Sequence, residues 1–520
     1  MIIEGVDTVI VGPGPLSFAD VVAVARGGAA VVLSEQAEAE IAASRKVIEA
    51  LADDSAPHYG VSTGFGALAT RHIPPDRRAQ LQRSLVRSHA AGSGPRVEAE
   101  VVRATMLLRL STLATGRTGV RLSTAQAYAK MLSAGITPDV REYGSLGCSG
   151  DLAPLAHCAL AAMGEGDVLV SGPVDIPMPA GDALKAAGIE PVVLAEKEGL
   201  ALINGTDGML GMLVLACADL HALLKTADIT AAMSVEALLG TDAAFAADLQ
   251  ALRPHPGQAA SAANLRALLA GSPIVASHRG PEDTRVQDAY SLRCSPQVHG
   301  AARDTLDHAE TVAGRELASA VDNPVVTLDG RVVSNGNFHG APVGYVLDFL
   351  AIAVADLASI AERRTDRMLD AHRSNGLRPF LADDPGVDSG HMIAQYTSAG
   401  IVSELKRLAA PASVDSIPSS AMQEDHVSMG WSAARKLRRS IDGLTRVLAI
   451  ELLTAARALD MRAPLSPSPA TAAVVAGLRA AGVEKPGTDR YLAPEIEAAV
   501  GYVATDGAVR AAETVIGPLQ

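Results

Sequence analysis

From Gly208 onward the pattern of apolar and polar positions is that of helices. In 425–460, "DHVSMGWSAARKLRRSIDGLTRVLAIELLTAARALD", apolar residues recur at three- and four-residue spacing, the period of a helix with one buried face. A second long helix is expected over 341–369, which has no proline after Pro342. Both exceed the usual length of about 8–20 residues and point to a long bundle. Their apolar faces call for more than one neighbour, so association between chains is expected. Earlier in the chain, 35–52, 97–115 and 123–133 read as shorter helices, and 8–12, "TVIVG", as a strand. "DLAPLAHCALAAMGEG" starts a helix, and "IPMPAGDALKAAGIEPVVL" reads as strand, turn and small hairpin. Segments 58–68, 378–391 and 410–424 have no such period and read as loops. The expected fold class is mainly α, a long central helix bundle with a loop-rich N-terminal portion. The division is placed at 1–207 and 208–520.

Composition sharpens this picture. Hydrophobic residues make up 48% of the 520, aromatics only 3%, so the apolar mass is mainly aliphatic and rich in the helix formers Ala and Leu. Lys and Arg number 44 against 58 Asp and Glu, a net charge of −14. That disfavours nucleic-acid binding, which needs basic patches, but allows a small anionic substrate held by local arginines. Four cysteines, Cys148, Cys158, Cys217 and Cys294, make no disulfide framework and suggest a reducing compartment. The N-terminus lacks the basic region of a signal peptide. Acids interrupt the most apolar stretches: Asp219, Asp348 and Asp356. These are expected to be buried helices of a cytoplasmic protein, with no membrane partner.

Several motifs could carry chemistry. Gly12 and Gly14 hint at a dinucleotide loop, but Pro13 and Pro15 remove amide donors and Ser17 replaces the third glycine. "GSLGCSGDLAPL" (144–155) fits neither a phosphate loop nor a nucleophile elbow, and no second Cys stands at metal spacing. Taken alone it reads as a tight turn before a helix. Ser88 and His89 precede a Gly-rich break. Asn204 and Thr206 end an apolar run. Gln287, Tyr290 and Arg293 stand at i, i+3 and i+6, one face of a helix if a helix forms there. An amide, a phenol and a guanidinium so placed could hold a carboxylate beside a titratable hydroxyl, although a solvated polar face has the same pattern. "SNGNFHG" carries Phe338, and Gln395 and Glu404 lie nine residues apart. No metal-ligand spacing is found among the thirteen His and four Cys.

Seven of these stretches occur together and in order: "YGVSTGFG", "GSLGCSGDLAPLAH", "INGTDG", "QDAYSLRCSPQVHG", "DNPVV", "SNGNFHG" and "SVDSIPSSAMQEDHVSM". With them the chain resembles the histidine/phenylalanine/tyrosine ammonia-lyase family along most of its length. The resemblance implies that Cys148-Ser149-Gly150 cyclises on its own backbone. The Gly150 nitrogen would attack the Cys148 carbonyl and Ser149 would lose water, giving a 4-methylidene-imidazol-5-one without external cofactor. A glycine there lets the nitrogen approach closely, and Asp151 could assist the proton transfers. The family's usual first residue is Ala; Cys148 departs from it as a ring substituent only.

By the same resemblance Tyr59 is the base for the β-proton, helped by Tyr290 and the field of the ring. Arg293 pairs the substrate carboxylate with Asn204 assisting, and Gln287 and Phe338 line the pocket. The selectivity pair matches Ser88-His89, which suits an imidazole because His89 can hydrogen-bond a ring nitrogen. Glu404 matches an acid beside that imidazole, and Leu405 stands where some histidine enzymes carry Asn. The expected reaction is conversion of L-histidine to trans-urocanate and ammonia. Alternatives are a tyrosine or phenylalanine lyase, an aminomutase on the same scaffold, and a non-catalytic helical assembly protein. The resemblance also implies a homotetramer with shared sites.

Overall fold

The computed structural model describes residues 7–52, 58–172, 175–280, 283 and 286–520. Twenty α-helices and a few short strands are found among them. Helices Asp207–Ala237, Ala341–Leu369 and Gly430–Asp460 pack along one another, with Ser295–Leu317 beside them. Asp207–Ala237 is 31 residues long and buried on nearly every side, so it has no polar face from which a helical period, and with it the helix's length, could be read. Together with Ala341–Leu369 it is long and apolar enough to span a membrane, but 83% and 67% of their most apolar windows lie inside the protein. Ala341–Leu369 nonetheless leaves Tyr345, Phe349 and Ile352 about half exposed along one side.

The N-terminal portion mixes helices with small sheets. Thr8–Val11 pairs in parallel with Ala30–Leu33. Asp167–Val170 is the central strand between Ile136–Pro138 and Ile176–Pro179. After Ile176–Pro179 the chain forms the helix Ala180–Ala186, not the turn expected there. The segments 35–52 and 341–369 form helices with those bounds, Glu35–Ala52 and Ala341–Leu369. The 425–460 helix begins only at Gly430. Met429 takes a left-handed φ of 51° and its N–H donates to Leu146 O, so 425–429 runs as non-helical chain against the 144–151 loop. Gln287, Tyr290 and Arg293 do not share a helix face, because the helix spans only Tyr290–Arg293. One hydrophobic core runs from Val9 to Leu519 and crosses the 207/208 division.

Candidate active site

Gly147 and Gly150 flank the Cys148-Ser149 pair at φ 68° and 79°, a region open to glycine at no steric cost. Gly150 is fixed twice over. A Cβ there would lie 2.1 Å from Gly205 O, and the next amide, Asp151 N, donates to that same oxygen at 2.7 Å. The tripeptide is thereby pressed against Asn204-Gly205. Asp151 is fully buried. Its carboxylate accepts from Ser145 Oγ and from Met209 N, each at 2.9 Å. Burial raises its pKa to about 7 against those donors, so it can hold or release a proton near neutrality. From the other side Ser428 Oγ donates to Gly147 O at 2.7 Å.

Ser149 opens into a cavity of about 540 Å³ shared with Tyr59, Cys148, Phe338, Glu424 and His426. Tyr59 lies four residues ahead of Thr63, which bridges to His72 and closes the loop between them. Its ring meets Phe65 edge-on at 6.3 Å, and its Oη accepts from Gly66 N at 3.2 Å. Burial raises the Tyr59 pKa, the Gly66 N–H opposes it, and the charges of Glu424 and Asp322 raise it further. Tyr290, expected to ease that ionisation, is 71% exposed and does not line this cavity.

Glu424 is the residue that sequence reading missed. Ser149 Oγ donates to its Oε1 at 2.9 Å, while Cys148 Sγ and Ser419 Oγ donate to its Oε2 at 3.3 and 2.8 Å. The Cys148 thiol is pushed up to about 11, first by burial and then by this carboxylate, so it is no nucleophile at neutral pH. His89 ends the helix Pro75–His89, its Nδ1 facing Leu85 O at 2.9 Å and Ser88 Oγ at 3.1 Å. Burial lowers its pKa and the nearby Glu424 charge opposes that. His89, Glu424, Tyr59 and Ser149 therefore form one electrostatic neighbourhood.

Asn204 is buried behind the tripeptide, and its Oδ1 has no partner among the described residues. The other expected residues stand apart in this chain. Glu404 is exposed on the helix Met392–Leu408 and lines a different cavity with Glu98 and Arg439. Gln287 is exposed too. The Arg293 guanidinium carbon sits 4.7 Å from the centre of the Tyr290 ring, a cation–π pair in which the tyrosine is exposed and the arginine half-buried. Buried Arg364, paired with Glu451 at 2.5 Å, reaches Ser291 O and Ser295 Oγ beneath that pair.

A model of the family described as aromatic amino acid lyase matches residues 16–480. The chain belongs to the aromatic amino acid lyase family. A histidine ammonia-lyase of Streptomyces avermitilis is 67% identical to it over 98% of this chain and 99% of its own length. Among solved structures, a tyrosine aminomutase of Streptomyces globisporus superposes with TM-score 0.93 at 38% identity, covering 99% of each chain. The histidine ammonia-lyase of Trypanosoma cruzi gives 0.89 at 37% identity, covering 98% of this chain and 95% of its own. Aromatic amino acid lyases are in general enzymes of the methylidene-imidazolone type.

Proposed function

We propose that this protein is a carbon–nitrogen lyase that converts L-histidine to trans-urocanate and ammonia. The observation that carries the reading is Glu424, which accepts from Ser149 on the wall of the cavity shared with Tyr59 and is near enough for its charge to act on both Tyr59 and His89. An imidazole offers one N–H donor and one acceptor nitrogen, and a histidine beside a carboxylate can satisfy both. A phenyl substrate would want an apolar pair there, and a phenol one polar partner beside an apolar one. The 67% identity to a histidine ammonia-lyase over nearly the whole chain supports the same substrate.

The residues present fit a prosthetic ring made from Cys148-Ser149-Gly150. Only glycine fits at 150 against Gly205, and Asp151, poised near neutrality, adjoins the amide that must react. Once formed, the ring supplies an electrophilic alkene that turns the substrate amine into a better leaving group. The chain's own residues do the rest. Tyr59 Oη takes the β-proton, with the Gly66 N–H stabilising the phenolate. Glu424 and His89 hold the imidazole, the acid role first expected of Glu404. Asn204, with its unpaired Oδ1, faces the polar end of the substrate. Phe338 closes the wall.

Tyr290, Arg293 and Gln287 are then supplied to a cavity by a neighbouring chain, as a homotetramer with shared sites allows. The half-exposed Tyr345, Phe349 and Ile352 support such an assembly. All four cysteines are free, which agrees with a cytoplasmic setting.

The test is absorbance of purified protein with L-histidine, L-tyrosine and L-phenylalanine, with ammonia assayed in parallel. Urocanate with equal ammonia, and little product from the other two, is expected. Cinnamate or coumarate would overturn the substrate, and a β-amino acid without ammonia would make the protein an aminomutase.

A further inference from the structure

Lys197 and Asp322 are both completely buried, and Lys197 Nζ donates to Asp322 Oδ2 at 2.5 Å. A second buried pair, Arg109 with Asp207, lies alongside at 2.9 Å. Desolvating a lone ammonium or carboxylate is costly, and an apolar pair of similar size often serves stability equally well. The Lys197–Asp322 pair therefore needs another reason, and its surroundings supply one.

Each partner belongs to a segment that builds the cavity. Lys197, held at a left-handed φ of 72°, immediately precedes the helix Glu198–Ala201 that leads to Asn204. Its stem also lies under the Tyr59 loop: a Cβ added at Gly60 would stand 3.7 Å from Lys197 Cδ, 3.1 Å from Leu200 Cδ2 and 3.6 Å from Pro324 Cδ. The residue after Tyr59 is thus seated between the two segments that the ion pair joins. On the other side, Asp322 starts a chain of hydrogen bonds along the cavity wall. Its Oδ1 accepts from Asn323 N, and its main-chain oxygen accepts from Asn335 Nδ2 at 3.0 Å. Asn323 Oδ1 accepts from Ser334 Oγ and Asn335 N, and Asn335 Oδ1 accepts from Asn337 N beside Phe338. Asn323, Ser334, Asn335 and Phe338 all line the cavity.

We propose that Lys197 and Asp322 are positioning residues that lock the Tyr59 loop in register with the Asn323–Phe338 wall. They touch neither substrate nor ring. They set where the phenol stands relative to the β-carbon of an amino acid held against the opposite wall. A displacement of about 1 Å there is enough to cost orders of magnitude in rate. Loss of the lock therefore lowers kcat and leaves KM nearly unchanged, because His89, Glu424 and Arg293, which are read as holding the two ends of the substrate, lie on other segments. This rests on the lyase reading above.

The experiment compares wild type with the double variant Lys197→Met, Asp322→Leu, which removes both charges and keeps the volume. Melting temperature, near-ultraviolet absorbance of the ring, kcat and KM for L-histidine are measured on each. The expected result is a near wild-type melting temperature and ring absorbance, kcat down by about tenfold or more, and KM within about threefold. A pair serving stability alone would leave the folded double variant at wild-type kcat, and that result overturns the proposal. So would a rise in KM with kcat intact, or a folded variant without the ring, which would move the pair to ring formation. If the double variant does not fold, Asp322→Asn, of unchanged size, takes its place: lowered kcat at near wild-type KM supports the lock, and wild-type kcat overturns it. An inactive wild type would overturn the lyase reading, whereas an active wild type with an equally active variant overturns only this inference.

Discussion

At the scale of single residues, Glu424 gathers the site: three donors from Cys148, Ser149 and Ser419 converge on its two oxygens. Glu424→Gln keeps the size and an acceptor but removes the charge. Turnover of L-histidine should fall by about a hundredfold or more, within the range for loss of a positioned acid or base, while the melting temperature holds. A kcat within a few-fold of wild type would remove Glu424 from the chemistry. His89→Leu tests selectivity. It leaves an imidazole nitrogen unpaired, a cost of about 1–3 kcal/mol, so kcat/KM should fall further for histidine than for phenylalanine; equal losses would reject that role. Tyr59, Ser149 and Phe338 were legible because each sits in a Gly- or Asn-rich motif of the ordered family pattern, although the Ser149 motif alone reads as a tight turn. Glu424 was not, although its motif was in view. Spacing cannot tell an acid aimed inward by a turn from Glu404, an acid on an exposed helical face.

At the scale of elements, the segment before Gly430 does what its loop-like composition concealed. Ser420, Ala421 and Met422 all take left-handed φ, at 50°, 51° and 68°, a strain that non-glycine residues carry mostly at functional sites. The turn delivers Glu424, and Ser428 then braces Gly147. Ser428→Ala strips that bond and the one from Gly430 N. It should lower stability by about 1–3 kcal/mol, read as a drop in melting temperature. Helix ends were legible where a polar face met a cap or break. The start of the 430–460 helix was not, because the loop-facing bond of Met429, a tertiary contact, decides it. His391, just ahead of the helix Met392–Leu408, adds a pH test. Burial, with Arg457, Arg490 and Arg479 nearby, lowers its pKa to about 3. Between that value and the ordinary 6.5 the unfolded chain binds a proton that the folded chain refuses, so His391 costs stability as pH falls. Asp151, raised to about 7, acts in the opposite sense over much of that window, so wild type alone does not isolate either group. The difference between His391→Gln and wild type does. From pH 7 to pH 4.5 it should move in the variant's favour by about 2–3 kcal/mol, seen as converging or crossing melting temperatures.

At the scale of the whole molecule, the bundle and the site divide the chemistry between two surfaces. Tyr59, Ser149 and Glu424 face one cavity with Asn204 buried behind the tripeptide, while exposed Tyr290 and half-buried Arg293 stand apart from it on a segment held from beneath by Arg364. The sequence placed all of them in one family pattern, yet a linear pattern cannot say which chain of an assembly each residue serves. If every cavity takes its Tyr59 and its Arg293 from different chains, two inactive variants can repair one another. Tyr59→Phe and Arg293→Ala, each nearly inactive alone, are co-expressed in equal amounts with different affinity tags and the mixed assemblies isolated. A site needs an intact Tyr59 from one chain and an intact Arg293 from another, so random mixing leaves about a quarter of the sites complete. Activity near that fraction of wild type is expected, and dilution into separately purified homogeneous assemblies should abolish it. If both residues came from the same chain, every site in any mixture would carry one defect. Activity would then stay at the sum of the two variants, and the shared-site arrangement would fall.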